Sequence, residues 1–284
     1  MGQLDDYRAA LRAALPPFFS PLEVVERVPT TMARAAELGE AGAPEGATVV
    51  AEEQTAGRGR LGRSWVAPPG TGLLVSVLMR PALAPADLWL VASLAGVALV
   101  DAVDELASKA PLHPRAGLKW PNDLLLDGKK AAGLLAEAGL HGGRLDWVAL
   151  GMGANVSQSP EDFPPEVADA ATSVALATGA GVDRAELLGA WGERFEAGYR
   201  QLSAGATGPV LAAYRDRLET LGLQVRADRL AGGPVVGTAV DLSAGGNLVV
   251  LTPSGARVEI ATADVRHLRA LAPHPDGNGH RVDD

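Results

Sequence analysis

Apolar residues form short runs that predict buried strands on both sides of a polar loop. The segments 46–52 and 71–79 are rich in valine, leucine and alanine. Runs of this length next to glycine are typical of core strands. Between them, three arginines, Arg58, Arg60 and Arg63, alternate with three glycines. The sequence therefore predicts two strands that bracket a basic, glycine-rich loop.

Along the first three quarters of the chain, apolar residues alternate between the spacing of helices and the spacing of strands. Residues 183–202 repeat apolar side chains at steps of three and four, the period of an amphipathic helix. Asp127-Gly128 lies between two apolar runs and predicts a tight hairpin turn. The predicted helices are 5–15, 32–38, 85–107, 168–178, 183–202 and 210–218. The predicted strands are 22–28, 46–52, 71–79, 124–126, 131–137 and 146–156.

The pattern changes at Gly222 to short apolar segments separated by glycine turns. Evenly spaced short strands of this kind are typical of a small barrel. The fold class predicted is therefore α+β, followed by a small all-β domain. The predicted strands of the second part are 224–227, 234–242, 247–251 and 256–260. We expect an N-terminal helix and tail over 1–19, a main domain over 20–221, a barrel over 222–271 and a disordered tail over 272–284.

Composition and charge narrow the class of protein. With 284 residues, 47% of them hydrophobic, the chain can bury a sizeable core. Cysteine is absent, which excludes disulfides and thiolate metal sites and fits a reducing compartment such as the cytoplasm. The net charge of -9 argues against a nucleic-acid binder. We expect no signal peptide and no membrane association, because the longest apolar run, 88–100, is too short to span a bilayer.

The arginine–glycine loop is the first candidate for chemistry. Glycine lets backbone N–H groups approach a ligand closely, and arginine offers a planar fork of donors to phosphate or carboxylate oxygens. The pattern thus favours a mobile clamp for anions. A solvated hairpin tip whose arginines pair with acidic neighbours is equally compatible with these residues. The spacing matches neither the phosphate-binding loop of nucleotide hydrolases nor the dinucleotide-binding fingerprint.

A second group of polar residues flanks the predicted hairpin. Lys119, Asn122 and Asp123 precede its first strand, and Lys130 lies at its turn. These side chains could surround a phosphate ester, with Asp123 facing a magnesium ion or an ammonium group. Simple surface exposure is the alternative for the lysines. Upstream, Thr30 and Thr31 are candidates for a helix N-cap, and a helix N-terminus with hydroxyl groups can also hold a ligand carboxylate.

These motifs, in this order, resemble those of the biotin protein ligases. The residues that carry the resemblance are 54–63 (QTAGRGRLGR), 119–123 (KWPND), Lys130 and 133–137 (GLLAE). The similarity covers roughly residues 20–270. It implies a mixed, largely antiparallel sheet flanked by helices, like the core of class II aminoacyl-tRNA synthetases, followed by an SH3-like barrel.

The resemblance also implies a two-step reaction that uses biotin, ATP and Mg²⁺. The biotin carboxylate would attack the α-phosphate of ATP to give biotinyl-5′-AMP and pyrophosphate. A lysine of a biotin carboxyl carrier domain would then attack this mixed anhydride and release AMP. Arginines and lysines would neutralise the reacting anions, and the glycine-hinged loop would shield the adenylate from water.

Residue roles follow from the resemblance alone. The expected catalytic residues are Arg58, Lys119, Asp123 and Lys130. The expected biotin site consists of Thr30, Thr31, Gln54, Arg58, Gly59, Arg60, Lys130 and Gly133. The expected nucleotide site consists of Arg58, Arg60, Arg63, Trp65, Asn122 and Asn155, with Trp65 near the adenine. No metal ligands are assigned.

Two departures from the family pattern stand out. Many members have asparagine where this chain has Met32, so we expect no polar contact there. Only about twenty residues precede the expected catalytic domain, which leaves no room for the winged helix of repressor-type members. We therefore expect no repression of transcription, and either a monomer or a homodimer. The alternatives to a biotin protein ligase are a lipoate or octanoate ligase or transferase of the same superfamily and a non-catalytic binding protein.

Overall fold

The computed structural model describes residues 2–229 and 231–268. The chain divides into two compact units, with the boundary between Glu219 and Thr220. The first unit contains six α-helices and seven strands among the described residues. Its helices are α1 (Gln3–Ala14), α2 (Thr31–Glu40), α3 (Trp89–Ala107), α4 (Val174–Thr178), α5 (Arg184–Ser203) and α6 (Thr207–Arg217). Its strands are β1 (Leu22–Val28), β2 (Thr48–Gln54), β3 (Gly72–Met79), β4 (Ala116–Lys119), β5 (Asp123–Leu126), β6 (Lys129–His141) and β7 (Arg144–Asn155).

The seven strands form one mixed sheet in the order β1-β2-β3-β7-β6-β5-β4. Strands β1 and β2 are parallel, and every other neighbouring pair is antiparallel. All eight residues of β3 are buried, as expected for an uninterrupted apolar run at the centre of a sheet. The predicted α+β class with a largely antiparallel sheet is confirmed.

The helices cover the sheet with apolar faces. Helix α3 packs against α5 and α6, and α2 lies on β3 and β7. The stripe predicted in α5 is buried, and its Trp191 and Phe195 rings stack with centroids 4.9 Å apart. Within the described residues, Pro85–Ala107 is the segment long and apolar enough to cross a membrane, and 61% of its most apolar window is buried inside the fold. Burial of this kind is typical of a core helix.

The predicted helix over 168–178 is wrong in its first half. Helix α4 starts only at Val174, where the Ser173 hydroxyl caps it by accepting a hydrogen bond from the Leu176 amide. The preceding residues pair with the start of β6 instead. The Lys130 amide donates to the Ala170 carbonyl at 2.7 Å, and the Thr172 amide donates to the Lys130 carbonyl at 2.9 Å. Pairing with a distant strand therefore overrides the local helical preference.

Over its described residues, 220–229 and 231–268, the second unit forms a five-stranded antiparallel sheet. Its strands are β8 (Gln224–Arg229), β9 (Val235–Leu242), β10 (Leu248–Leu251), β11 (Arg257–Ile260) and β12 (Ala263–His267), in the order β11-β10-β9-β8-β12. Four successive strands form a meander, and the fifth returns to pair with the first, the strand order of an SH3-like barrel. The small all-β domain is thus confirmed, although the sequence did not predict β12. The predicted disordered tail over 272–284 lies outside the described residues.

Candidate active site

The N-terminus of α2 meets the end of β2 in a buried polar cluster. Thr30 caps the helix, because its hydroxyl accepts a hydrogen bond from the Met32 amide at 3.1 Å. The side-chain oxygen of Gln54 accepts from the Thr31 amide at 2.7 Å and from the Thr31 hydroxyl at 3.1 Å. Ser76 of β3 donates to the Thr31 hydroxyl at 2.8 Å. Three elements therefore fix the two threonines and the glutamine that the family resemblance assigned to biotin binding.

The arginine–glycine loop folds back on itself as a short hairpin. The Trp65 amide donates to the Gly57 carbonyl at 2.9 Å, and the Gly59 amide donates to the Arg63 carbonyl at 2.7 Å. Leu61 at the tip has a φ of 58°, in the left-handed region. The base of the loop lies against the threonine cluster, since a Cβ built on Gly57 would stand 3.1 Å from the side-chain nitrogen of Gln54.

A cleft of about 340 Å³ opens between this loop and β6. Arg58 and Arg63 line it on the loop side, and Leu135 and Glu137 line it on the strand side. Its size is that of a small-molecule site. Two arginines of the loop and the acidic residue Glu137 therefore line the same cleft.

Trp65 ends the loop and rests on the sheet at a pair of glycines. Gly133 of β6 and Gly153 of β7 face each other in register. A Cβ on Gly153 would stand 2.6 Å from the Trp65 ring, and one on Gly133 would stand 3.5 Å from it. The ring also faces Lys130 Nζ at 5.5 Å from its centroid, within the range of a cation–π contact. The indole nitrogen is buried without a hydrogen-bond partner among the described residues.

Lys130 and Asp123 form an ion pair at the hairpin. Lys130 Nζ lies 2.6 Å from Asp123 Oδ1. Lys119, the last residue of β4, is paired in register with Asp123. Asn122 is tied to β6, because its side-chain amide donates to the Leu134 carbonyl and its own carbonyl accepts from the Leu134 amide. Within the KWPND motif, Asp123 therefore contacts the ammonium group of Lys130, Lys119 lies opposite Asp123 in the sheet, and Asn122 is bonded to β6.

Asn155 belongs to a neighbouring buried cluster at the end of β7. Its Nδ2 donates to the Thr172 carbonyl at 3.0 Å, and its Oδ1 accepts from Gln158 Nε2 at 3.2 Å. Because the Thr172 amide in turn bonds to the Lys130 carbonyl, one short segment connects Asn155 with the backbone of Lys130. The family resemblance implied Asn155 as a site residue but did not identify Gln158.

Tyr214 of α6 is a second residue that the sequence did not identify. Its hydroxyl donates to the Pro121 carbonyl at 2.8 Å. Burial raises the pKa of Tyr214 well above the usual range, the Asp123 carboxylate raises this pKa further, and the Arg60 guanidinium lowers it. Asp123 and Arg60 therefore have opposite effects on the pKa of one buried phenol. No signal in the local sequence of α6 distinguishes Tyr214 from an ordinary core aromatic residue.

Met32 lies in an apolar cluster with Leu78 and Trp147. Its sulfur would be 2.6 Å from a Cβ built on Gly151, so the absence of a side chain on β7 makes room for it. The position at which many family members carry an amide is filled here by core packing.

Two family models match the chain. The model of the Biotin/lipoate A/B protein ligase family covers residues 24–155. The model of the Biotin protein ligase C terminal domain covers residues 220–268, which corresponds to the small antiparallel sheet.

Curated relatives and solved structures agree with these models. The chain is 38% identical to the biotin--[acetyl-CoA-carboxylase] ligase of Mycobacterium tuberculosis, over 87% of this chain and 89% of that protein. It is 36% identical to the bifunctional ligase/repressor BirA of Bacillus subtilis, over 83% of this chain and 70% of that protein. The structure of biotin protein ligase from Aquifex aeolicus in complex with biotin and ATP is 30% identical, with a TM-score of 0.71, over 88% of this chain and 100% of that one. The chain belongs to the biotin protein ligase family.

Proposed function

We propose that this chain is an ATP-dependent biotin protein ligase. It forms biotinyl-5′-AMP from biotin and ATP and transfers biotin to a lysine of a biotin carboxyl carrier domain. The observation that carries this proposal is the placement of Lys130, which is paired with Asp123 and lies beneath Trp65 at the base of the arginine loop. Similarity to a solved ligase that holds biotin and ATP supports the choice of substrates.

In the first step, a carboxylate oxygen of biotin forms a bond to the α-phosphorus of ATP. The bond from this phosphorus to the bridging oxygen breaks, and pyrophosphate leaves. Two anions must come together, so cations at the reacting atoms lower the barrier. Lys130 holds the biotin carboxylate, while Arg58 and Arg60 of the loop hold the α-phosphate. Asp123 fixes the ammonium group of Lys130 through the ion pair of 2.6 Å.

In the second step, the neutral amine of the carrier lysine attacks the carbonyl carbon of the mixed anhydride. An amide bond forms, the carbonyl carbon–oxygen bond to the phosphate breaks, AMP leaves with the electron pair, and the proton lost by the amine passes to water. Lys130 donates to the carbonyl oxygen as negative charge develops on it. The hairpin loop over the cleft excludes water, which would otherwise hydrolyse the anhydride.

Thr30, Thr31, Gln54, Gly59 and Gly133 belong to the biotin half of the proposed site. The buried cluster of Thr31 and Gln54 offers hydroxyl and amide groups to the polar ring of biotin. Gly133 lies beside Lys130, since a Cβ built on it would stand 3.4 Å from Lys130 Nζ.

Trp65, Arg63, Asn122 and Asn155 belong to the nucleotide half, with Trp65 next to the adenine. Lys119 adds positive charge to the KWPND motif.

Mg²⁺ is part of the proposal as the counter-ion of ATP. Among the described residues, no group of three or more His, Cys, Asp or Glu side chains is placed to hold a metal. Asp123, a candidate ligand by sequence, is already paired with Lys130. Mg²⁺ commonly binds through substrate phosphates and water with few protein ligands, so the residues present suit an ion that arrives on ATP.

The proposal also covers the domain boundaries of the enzyme, its protein partner and its cellular compartment. The proposed catalytic domain is residues 20–221 and the proposed C-terminal domain is residues 222–271, a division two residues after the boundary between Glu219 and Thr220. The partner is the carrier domain of a carboxylase, in keeping with the name of the M. tuberculosis relative. The reaction takes place in the cytoplasm, where ATP is available.

The test is transfer of labelled biotin to a purified carrier domain in the presence of ATP and Mg²⁺. The control is the same carrier with its acceptor lysine replaced. We expect ATP-dependent labelling of the unmodified carrier only. Transfer of lipoate but not biotin would reassign the chain to the lipoate branch of the family. No transfer of either, with no adenylate formed, would indicate a non-catalytic binding protein.

A further inference from the structure

Gln158 follows β7 and is almost completely inside the protein. Its exposed fraction is 2%, lower than the 6% of Asn155. Its carbonyl accepts a hydrogen bond from the Ser173 hydroxyl at 2.7 Å, which fixes the backbone position. A Cβ built on Gly72 of β3 would stand 3.2 Å from Gln158 Nε2, so the amide lies directly against the neighbouring strand. The side chain has one well-defined place.

The nitrogen of the Gln158 side-chain amide makes a hydrogen bond, but within the described part of the chain its oxygen does not. Nε2 donates to Asn155 Oδ1 at 3.2 Å. Oε1 is buried and accepts no hydrogen bond from any described residue. A buried carbonyl oxygen without a partner costs about 1–3 kcal/mol relative to a satisfied one. Methionine or leucine would fill a similar volume without that cost, so packing alone gives no reason for an amide here.

An amide at position 158 has a different role: its Nε2 controls the orientation of the Asn155 side chain. A primary amide can turn over and exchange its oxygen and nitrogen, and neighbouring groups decide which way it faces. Here the Thr172 carbonyl demands a donor and Gln158 Nε2 demands an acceptor. Together they permit one orientation, with Asn155 Nδ2 toward Thr172 and Oδ1 toward Gln158. Without Gln158 only one of these two constraints remains.

We propose that Gln158 is a positioning residue of the nucleotide half of the site, acting through Asn155. This inference rests on the proposed function, because it assumes that Asn155 contacts the phosphates of ATP or their Mg²⁺. Gln158 itself touches no substrate, since its side chain is enclosed. Its contribution is to hold the Asn155 amide in the orientation that ATP meets.

The hydrogen bonds of Thr172 explain why we expect the loss of Gln158 to affect ATP binding and not biotin binding. Thr172 receives the Asn155 amide through its carbonyl and reaches the Lys130 carbonyl through its own amide. Lys130 is thereby held by backbone bonds that do not depend on Gln158. The Thr31–Gln54 cluster is fixed separately by Ser76. Loss of the Gln158 amide should therefore disturb nucleotide binding and leave biotin binding intact.

The experiment compares Gln158→Met with the unchanged enzyme in steady-state adenylation, measured by pyrophosphate release. We expect KM for ATP to rise about tenfold, the effect of one lost hydrogen bond. KM for biotin should stay within about twofold. The melting temperature should be about unchanged, because the variant removes the unpartnered Gln158 Oε1 but leaves Asn155 Oδ1 without its donor. Gln158→Leu provides a second apolar variant if Gln158→Met does not fold.

A double-mutant cycle with Asn155→Ala identifies the route of the effect. If Gln158 acts through Asn155, Gln158→Met should add no further increase in KM for ATP once Asn155 is alanine. The matched control is Ser76→Ala, which removes a buried hydroxyl from the threonine cluster. It should raise KM for biotin and leave KM for ATP unchanged.

Two results would overturn the inference. One is an unchanged KM for ATP in folded Gln158→Met. The other is a fall in melting temperature together with equal increases in KM for both substrates, which would mark Gln158 as merely structural. Adenylation by the unchanged enzyme is measured first. If adenylation is absent, the proposed function is wrong. If the unchanged enzyme is active and Gln158→Met has the same KM for ATP, only the positioning role of Gln158 is wrong.

Discussion

Lys130 Nζ lies 2.6 Å from Asp123 Oδ1, and the same ammonium group faces the Trp65 ring at 5.5 Å. The carboxylate and the ring both attract the cation. The lysine therefore has a fixed position before any substrate arrives, which lowers the ordering cost of using it in catalysis.

Lys130→Ala should slow adenylation by about 10²–10³-fold, because the charge at the reacting carboxylate is lost. The adjacent Lys129 is a matched control, since it is exposed at the same turn. Lys129→Ala should remain within about twofold of the unchanged enzyme. The measurement is the rate of pyrophosphate release in a single turnover. A near-normal rate in Lys130→Ala would remove this residue from the site.

Arg58→Ala should release biotinyl-5′-AMP into solution. Arg58 lines the cleft beneath the loop, and its loss removes a cation from the lid over the adenylate. We expect the fraction of adenylate found free after rapid filtration to rise about tenfold. Arg144→Ala is the control, because Arg144 is exposed at the start of β7. Equal retention of the intermediate by Arg58→Ala and Arg144→Ala would contradict the role of the loop arginine.

Gly153→Ala should displace Trp65, whereas Gly133→Ala should leave it in place. The added Cβ would stand 2.6 Å from the indole ring in the first case and 3.5 Å in the second. We expect a changed tryptophan fluorescence spectrum and a stability loss of about 1–3 kcal/mol for Gly153→Ala alone. Trp65→Phe serves as the background that identifies the emitting residue. An unchanged spectrum in Gly153→Ala would show that Trp65 does not rest on Gly153.

Tyr7→Phe should make the protein less sensitive to alkaline pH. The Tyr7 ring packs 4.0 Å beneath the Arg184 guanidinium, and burial raises the pKa of Tyr7 to about 12. In the unfolded chain the pKa of tyrosine is about 10. Between these values unfolding releases a proton, so native stability falls as pH rises.

The comparison of the two proteins by urea unfolding at pH 8 and pH 11 isolates this effect. Phenylalanine has no proton to lose and leaves no buried hydroxyl without a partner. Relative to wild type, Tyr7→Phe should gain about 1 kcal/mol between the two pH values. Parallel losses in both proteins would show that Tyr7 titrates normally in the fold.

Local signals predicted the elements well where the deciding contacts are local. Asp127-Gly128 specified the β5–β6 hairpin, and Thr30 caps α2 as a threonine before a helix should. Segments decided by distant partners were predicted poorly. The stretch before α4 pairs with Lys130, about forty positions away. The local pattern of apolar residues carries no information about that pairing.

The same distinction applies to the site. Residues in conspicuous motifs, such as Lys130 and Arg58, were identifiable because their type and spacing stand out. Tyr214 and Gln158 were not, because a buried phenol and a buried amide have their effect through three-dimensional neighbours. The family resemblance supplied the roles of the predicted residues, and the packing of Trp65 on Gly153 could be found only in the structure.

The internal hydrogen bonds of the arginine–glycine loop have a consequence for the thermodynamics of binding. Because Gly57 bonds to Trp65 and Gly59 bonds to Arg63, the loop already has its own shape. Nucleotide binding then has to restrict the tilt of a small preformed hairpin, not the torsions of a free chain. Each backbone residue that needs no ordering spares about 1–2 kcal/mol of conformational entropy. More of the favourable interaction energy of the arginines with phosphate therefore remains as affinity for ATP.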